Sequence, residues 1–164
     1  MVTDLRLTIE LVPATSWYAN LRKVLPKKEW DKIRKSVYAD YDHKCGICGA
    51  EGRLECHELW EYDDENHTQT LRGFIALCPL CHRVKHIGLT GIHAAEGIVD
   101  YDYEEVVRHF MKVNECDRDT FEQHRKQAFE QWRERSQYQW EIDLGPYRNI
   151  VEGPNISKAR RSPE

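Results

Sequence analysis

Leu77-Cys78-Pro79-Leu80-Cys81-His82-Arg83-Val84-Lys85-His86 is the stretch that decides how this chain is read. A Cys-x-x-Cys pair runs directly into a His-x-x-x-His pair. Cys-x-x-Cys sets two thiolates on one tight turn, the arrangement tetrahedral zinc takes up. Histidines four apart share one face of a helix. A helix starting near Cys78 therefore presents His82 and His86 together, and Gly88 or Gly91 is expected to end it.

Moving toward the N-terminus, a second pair appears at Cys45-Gly46-Ile47-Cys48. The full spacing is C-x2-C-x29-C-x2-C, a little wider than the common zinc pattern. Disulfides or a redox pair are the competing readings. Disulfides call for an oxidising compartment, and Met1-Val2-Thr3-Asp4 lacks the charged and apolar blocks of a signal peptide. A redox Cys-x-x-Cys needs no second copy. The expectation is a structural Zn2+ held by Cys45, Cys48, Cys78 and Cys81. Cys56 and Cys116 fall outside the pattern and read as small apolar residues.

Between the two pairs, residues 53–62 alternate as a strand does, 63–67 read as a turn, and 71–77 form a second strand carrying Phe74, Ile75, Ala76 and Leu77. The two make a hairpin that delivers the chain to Cys78, with His57 on its first strand. Residues 5–12 place Leu5, Leu7, Ile9 and Leu11 on one face, a period-two strand ended by Pro13. Pro26 opens a helix with Trp30, Ile33, Val37, Tyr38 and Tyr41 at helical spacing. Asp102, with Glu105 three on, starts another helix, and Asp117 or Asp119 caps a longer one ending near Gln139. The expected fold class is α+β. Its parts are an N-terminal strand and basic helix (1–41), a metal-stapled core (42–92), helices packing on it (93–144) and a loosely ordered tail (145–164).

Charged residues make up 32% of the chain, the net charge is −4 and mean hydropathy is −0.75. No apolar run approaches membrane-spanning length, so no membrane partner and a cytoplasmic location are expected. The charge is uneven. Seven basic residues fall between Arg22 and Lys35, and seven acidic ones between Glu51 and Glu65. Lys27, Lys28, Lys32 and Lys35 are candidates for contact with a polyanion. A solvated helix face is the competing reading.

A hairpin followed by a helix, with His57 on the first strand and His82 and His86 on the helix, resembles the HNH endonucleases. The resemblance is to members whose ββα-metal core is stapled by a four-cysteine zinc site, and it covers roughly residues 40–90. It rests on Cys45-x-x-Cys48, Leu54-Glu55-Cys56-His57 and residues 76–86. It implies that His57, His82 and His86 hold a second divalent ion. Three imidazoles suit Zn2+, Ni2+ or Mn2+ better than Mg2+, which prefers oxygen. It also implies cleavage of phosphodiester bonds in DNA, with the ion offsetting charge on the phosphate and a base activating water.

Two positions depart from the family pattern. The base histidine expected after His57 is Glu58, and the middle asparagine falls on Gly73. Glu58 is therefore a candidate base beside the catalytic His57. A shifted register, with His57 as base and Glu55 or Cys56 near the metal, and His67 as base remain open. Glu58 also fits a hydrogen-bonding partner that orients a ligand. The alternative to a nuclease is a zinc-binding module of the same fold that has lost catalysis and binds nucleic acid or a protein. The flanking helices could pair two copies or hold that partner. His43, His93, His109 and His124 read as structural.

Overall fold

The computed structural model describes residues 4–19, 21–97 and 102–148. In chain order come α1 (Leu21–Val24), α2 (Lys27–Asp40), β1 (Glu55–Asp63), β2 (Thr68–Leu77), α3 (Pro79–Lys85), α4 (Ile87–Ala95), α5 (Tyr103–Asn114), α6 (Arg118–Arg135) and β3 (Glu141–Asp143). Short 3-10 segments lie at Ala14–Ala19 and Gly145–Tyr147. The architecture is mixed α+β, as expected.

The hairpin divides the molecule. β1 and β2 pair antiparallel from Glu55↔Leu77 to Asp63↔Thr68, and β3 adds to β2 in parallel. Side chains alternate across a strand, so the hairpin feeds two apolar clusters. Leu77 joins Leu7, Val84, Val106, Phe110 and Phe121 on the side of α3, α5 and α6. Phe74 and Ala76 join Leu21, Trp30, Val37 and Leu71 on the side of α2. A register shift between Leu59 and Trp60 leaves Arg72 without a partner across the ladder. In the strand order β1-β2-β3, β1 keeps an open edge.

Helix starts follow local chemistry. Lys27 follows Pro26, which sits just outside the helix. The Asp102 carboxylate accepts from the Glu104 N–H, and that of Asp117 from the Thr120 N–H, so Asp117 rather than Asp119 caps α6. Cys78 caps α3, its sulfur accepting from the Cys81 N–H, and Pro79 fills the first turn, where its missing N–H costs nothing.

Four expectations are corrected. Residues 5–12 are not a strand. Leu7 and Ile9 are buried as their alternation implied, but other partners take the backbone groups. Asn114 accepts from the Arg6 and Leu7 N–H groups and donates to the Leu7 carbonyl. His124 Nε2 accepts from Ile9 N–H, and the Lys85 carbonyl from Glu10 N–H. Second, Gly88 and Gly91 end no helix. α3 stops at Lys85, His86 is the break, and α4 runs through both glycines. A Cβ on Gly88 would stand 3.4 Å from the Phe129 ring, and one on Gly91 3.5 Å from Tyr103. Here glycine serves close packing. Third, α6 ends at Arg135, and the chain turns so that Trp140 Nε1 donates to the Arg135 carbonyl before β3. Fourth, the tail opens with an ordered turn, Gly145–Tyr147, whose Tyr147 ring packs edge-on to Phe74. Residues 149–164 and the side chain of His93 lie outside the described residues.

The first cysteine loop docks on the hairpin through one hydrogen bond, from the Gly46 N–H to the Ala76 carbonyl at 2.8 Å. A Cβ at Gly46 would lie 2.7 Å from the Tyr41 ring and 2.8 Å from Ile75. Gly46→Ala is expected to lower stability by about 1–3 kcal/mol through this overpacking, read by denaturant unfolding of the zinc-loaded protein. An unchanged midpoint would contradict the close approach.

Candidate metal centres

The first centre is built by two loops that meet. Cys45 and Cys48 flank the turn after α2, and Cys78 and Cys81 sit at the start of α3. Their sulfurs all lie within 4.8 Å of one another. Cys48 Sγ and Cys78 Sγ are 3.7 Å apart. Sulfurs about 2.3 Å from a tetrahedral ion stand about 3.8 Å apart, whereas a disulfide needs about 2.0 Å. All six cysteines are free.

Proton chemistry argues the same way. The Cys45 thiol is driven far down because Cys78 and Cys81 hydrogen-bond its sulfur, and the Cys78 and Cys81 thiols are driven up by holding that bond. Four sulfurs so close share protons unless a cation replaces them. The donor set fits a zinc ion. Cys56 lies on the α2 side of the hairpin, where burial pushes its thiol up to about 12, and Cys116 is likewise outside the cluster.

The second group comprises His57, His82 and His86, with one nitrogen of each within 4.8 Å of the others. Ring centroids form a near-equilateral triangle of 4.9 to 5.3 Å. β1 aims His57 at α3, α3 supplies His82, and His86 follows directly after its last residue. Burial holds the His57 imidazole below its usual range and takes His86 down to about 3. Both rings are thus neutral, the form that binds metal. The group can hold a metal ion.

Two carboxylates touch the triad. Glu55 Oε1 lies 2.9 Å from His82 Nδ1, and Glu10 Oε1 lies 3.1 Å from His57 Nε2. The hydrogen bond with His82 lowers the Glu55 carboxyl. Burial alone would raise the Glu10 carboxyl, but His57 and Lys85 together hold it at about 2.

A groove of about 1030 Å³ runs along the open edge of β1 and contains all three imidazoles. Glu58 leaves the strand on the face opposite His57 and lines the same groove. Its carboxylate accepts from the Leu21 N–H, and burial raises the carboxyl to about 7. Its Oε2 is buried without a partner. Gly73 lies at the register shift opposite Leu59 and offers no side chain. His67 stacks on Tyr138 at 4.0 Å in the turn at the far end of the hairpin, outside the triad.

Basic residues divide between two surfaces. Lys27 lines the groove with Arg22, Lys23, Arg34 and Arg53. Lys28, Lys32 and Lys35 line a separate depression on α2, which Lys27 also borders. Three of the four expected contact residues therefore sit apart from the imidazoles.

Sequence reading missed Glu10, which lies 47 positions from His57. Only the general need of a metal-bound histidine for a hydrogen-bond acceptor points to such a residue. His109 was read as structural, yet its Nε2 lies 3.2 Å from Cys81 Sγ, beside the cage. No spacing signal marks it.

Cys78→Ser should release zinc and unfold the hairpin–helix unit, since structural zinc contributes on the order of 10 kcal/mol to small domains. Metal analysis with circular dichroism checks this. A variant that keeps both its fold and one tightly held zinc would contradict the cage.

No protein-family model, curated protein or solved structure matches this chain.

Proposed function

We propose that this chain is a metal-dependent endonuclease of the HNH type, with a ββα-metal core, hydrolysing phosphodiester bonds in DNA. The observation that carries the reading is the convergence of His57, His82 and His86 within 4.8 Å, on a hairpin and helix joined by a four-thiol cluster. A divalent ion held by the three imidazoles would supply positive charge to the phosphate and to the leaving oxygen. The nitrogen donors favour Zn2+, Ni2+ or Mn2+ over Mg2+.

The chain's own groups supply the rest. Lys23, Lys27, Arg34 and Arg53 border the groove and would offset neighbouring phosphates despite the net charge of −4. Glu58 is the candidate to accept a proton from the attacking water. A carboxylate oxygen buried without a partner is costly, and a catalytic role is one of the explanations for such a group. Glu55 orients His82. Gly73 contributes backbone only, so no side chain acts at the family's asparagine position.

Plasmid cleavage with Mn2+, Ni2+, Zn2+ or Mg2+ tests this. His57→Ala should abolish cutting, and Glu58→Gln should slow it about 100-fold or more, with the cage zinc retained in both. Cleavage that survives Glu58→Gln would move the base elsewhere. No cleavage of duplex DNA, single-stranded DNA or RNA with any of these metals would overturn the nuclease. The groove makes a separate prediction about binding. Lys23→Ala with Arg53→Ala should weaken DNA binding and flatten its salt dependence more than Lys28→Ala with Lys35→Ala. Equal losses would place the contact surface on α2 instead.

One observation favours the binding-module reading. An apolar groove of about 1300 Å³ is lined by Leu11, Ile87, Ile92, Phe129 and Trp132, and Leu89 and Ile92 are exposed along it. Exposed apolar surface of this kind marks contact with another protein. Tight metal binding without cleavage would favour this second reading.

A further inference from the structure

Residues 5–12 join no sheet, yet they deliver a carboxylate to the histidine triad. We propose that Glu10 is a positioning residue of the histidine metal centre. It holds the His57 ring in one orientation and one tautomer, and Lys85 locks it in place. This rests on the triad being a metal site, and not on the chain being a nuclease.

The hydrogen bonds leave Glu10 little freedom. Its Oε1 faces His57 Nε2 at 3.1 Å. Its Oε2 accepts from Lys85 Nζ at 2.5 Å and from Thr8 Oγ1 at 3.2 Å. Its backbone N–H donates to the Lys85 carbonyl at 3.0 Å, and Lys85 Nζ also donates to Thr8 Oγ1 at 3.1 Å. Lys85 is 4% exposed, so its ammonium must find a partner inside the protein. A carboxylate needed only for that charge would leave its other oxygen uncommitted. Here that oxygen is aimed at an imidazole.

The choice of nitrogen carries the consequence. A neutral imidazole has one N–H and one lone pair. A carboxylate can only accept, so Glu10 puts the proton on His57 Nε2 and leaves the lone pair on Nδ1. Glu55 does the converse at His82, where Nδ1 donates and Nε2 keeps the lone pair. Metal-bound histidines commonly donate their other N–H to a carboxylate, which fixes ring and tautomer. Glu10 acts from outside the mutually close set, which comprises the three imidazoles alone. Lys85 lies between His82 and His86 in sequence. The segment that carries two ligands therefore also carries the cation that sets the third ligand's partner.

The test fills the cysteine cage with Zn2+ and titrates Co2+ into the histidine site, following its visible absorption. Glu10→Gln keeps size and shape but loses the charge. It should weaken Co2+ by about 10–100-fold while one cage zinc per chain remains. Lys85→Met should weaken Co2+ less, and should add nothing in the Glu10→Gln background. On the unsubstituted protein, 15N shifts of His57 should report the Nε2–H tautomer, a readout that needs no variant, whereas the loss of Co2+ affinity in Glu10→Gln with the cage zinc kept is the readout a merely structural bond would not move. Wild-type Co2+ affinity in Glu10→Gln, or a proton on His57 Nδ1, would overturn the proposal. Full wild-type binding of Co2+ with no nuclease activity would leave it standing and sink the nuclease. A wild-type chain that takes up no second ion would overturn the proposal and the histidine site together.

Discussion

Four sulfurs from two turns come within 4.8 Å of one another, and most of the structure follows from that. The turns lie 29 residues apart, with the whole β1–β2 hairpin between them. Bringing Cys45 and Cys48 to Cys78 and Cys81 closes that loop and holds the hairpin against the start of α3. Cys78 caps α3 with its own sulfur, so the residue that joins the cage also starts the helix bearing His82. His57, whose Cα pairs with Ile75 across the ladder, is thereby set opposite that helix. The cluster fixes the distance between the hairpin and the helix that carry the imidazoles.

Around this constraint the protein manages buried polarity in two different ways. On the α3 side, Glu10 and Glu55 each pair with an imidazole, and the buried Lys85 ammonium pairs with Glu10. On the edge of β1, Glu58 keeps one carboxylate oxygen buried and unmatched. Satisfied networks hold a shape, and unsatisfied groups carry cost that function can use. Gln69, whose two amide atoms are also buried and unmatched, lines the same groove as Glu58, and the rim of that groove carries lysine and arginine.

The parts legible in the sequence were those set by short-range rules. The paired Cys-x-x-Cys motifs, the alternating hairpin, the helix starts just after Pro26 and Asp102, and the shared face of His82 and His86 rest on spacing, and the structure has each, whereas the place of His57 beside them was implied by the family resemblance. Long-range satisfaction was not legible. Residues 5–12 alternate like a strand, but Asn114, His124 and Lys85 take their backbone hydrogen bonds, and no local pattern names those partners. Gly88 and Gly91 look like helix stops until Phe129 and Tyr103 pack on them. Three residues suffice for β3, because they borrow the ladder of β2. At the site, Glu10 was invisible for the same reason, and charge counting along α2 could not tell Lys27, in the groove, from Lys28, Lys32 and Lys35 beyond it.

One hairpin and one helix hold two groups of different kinds, four sulfurs and three imidazoles, each able to take a metal ion. Element-specific anomalous diffraction from crystals grown with zinc reads it directly. Two peaks are expected. One lies about 2.3 Å from the sulfurs of Cys45, Cys48, Cys78 and Cys81, and the other about 2.0–2.2 Å from one nitrogen each of His57, His82 and His86. A single peak in the cysteine cage, or a second peak away from the three imidazoles, would contradict it.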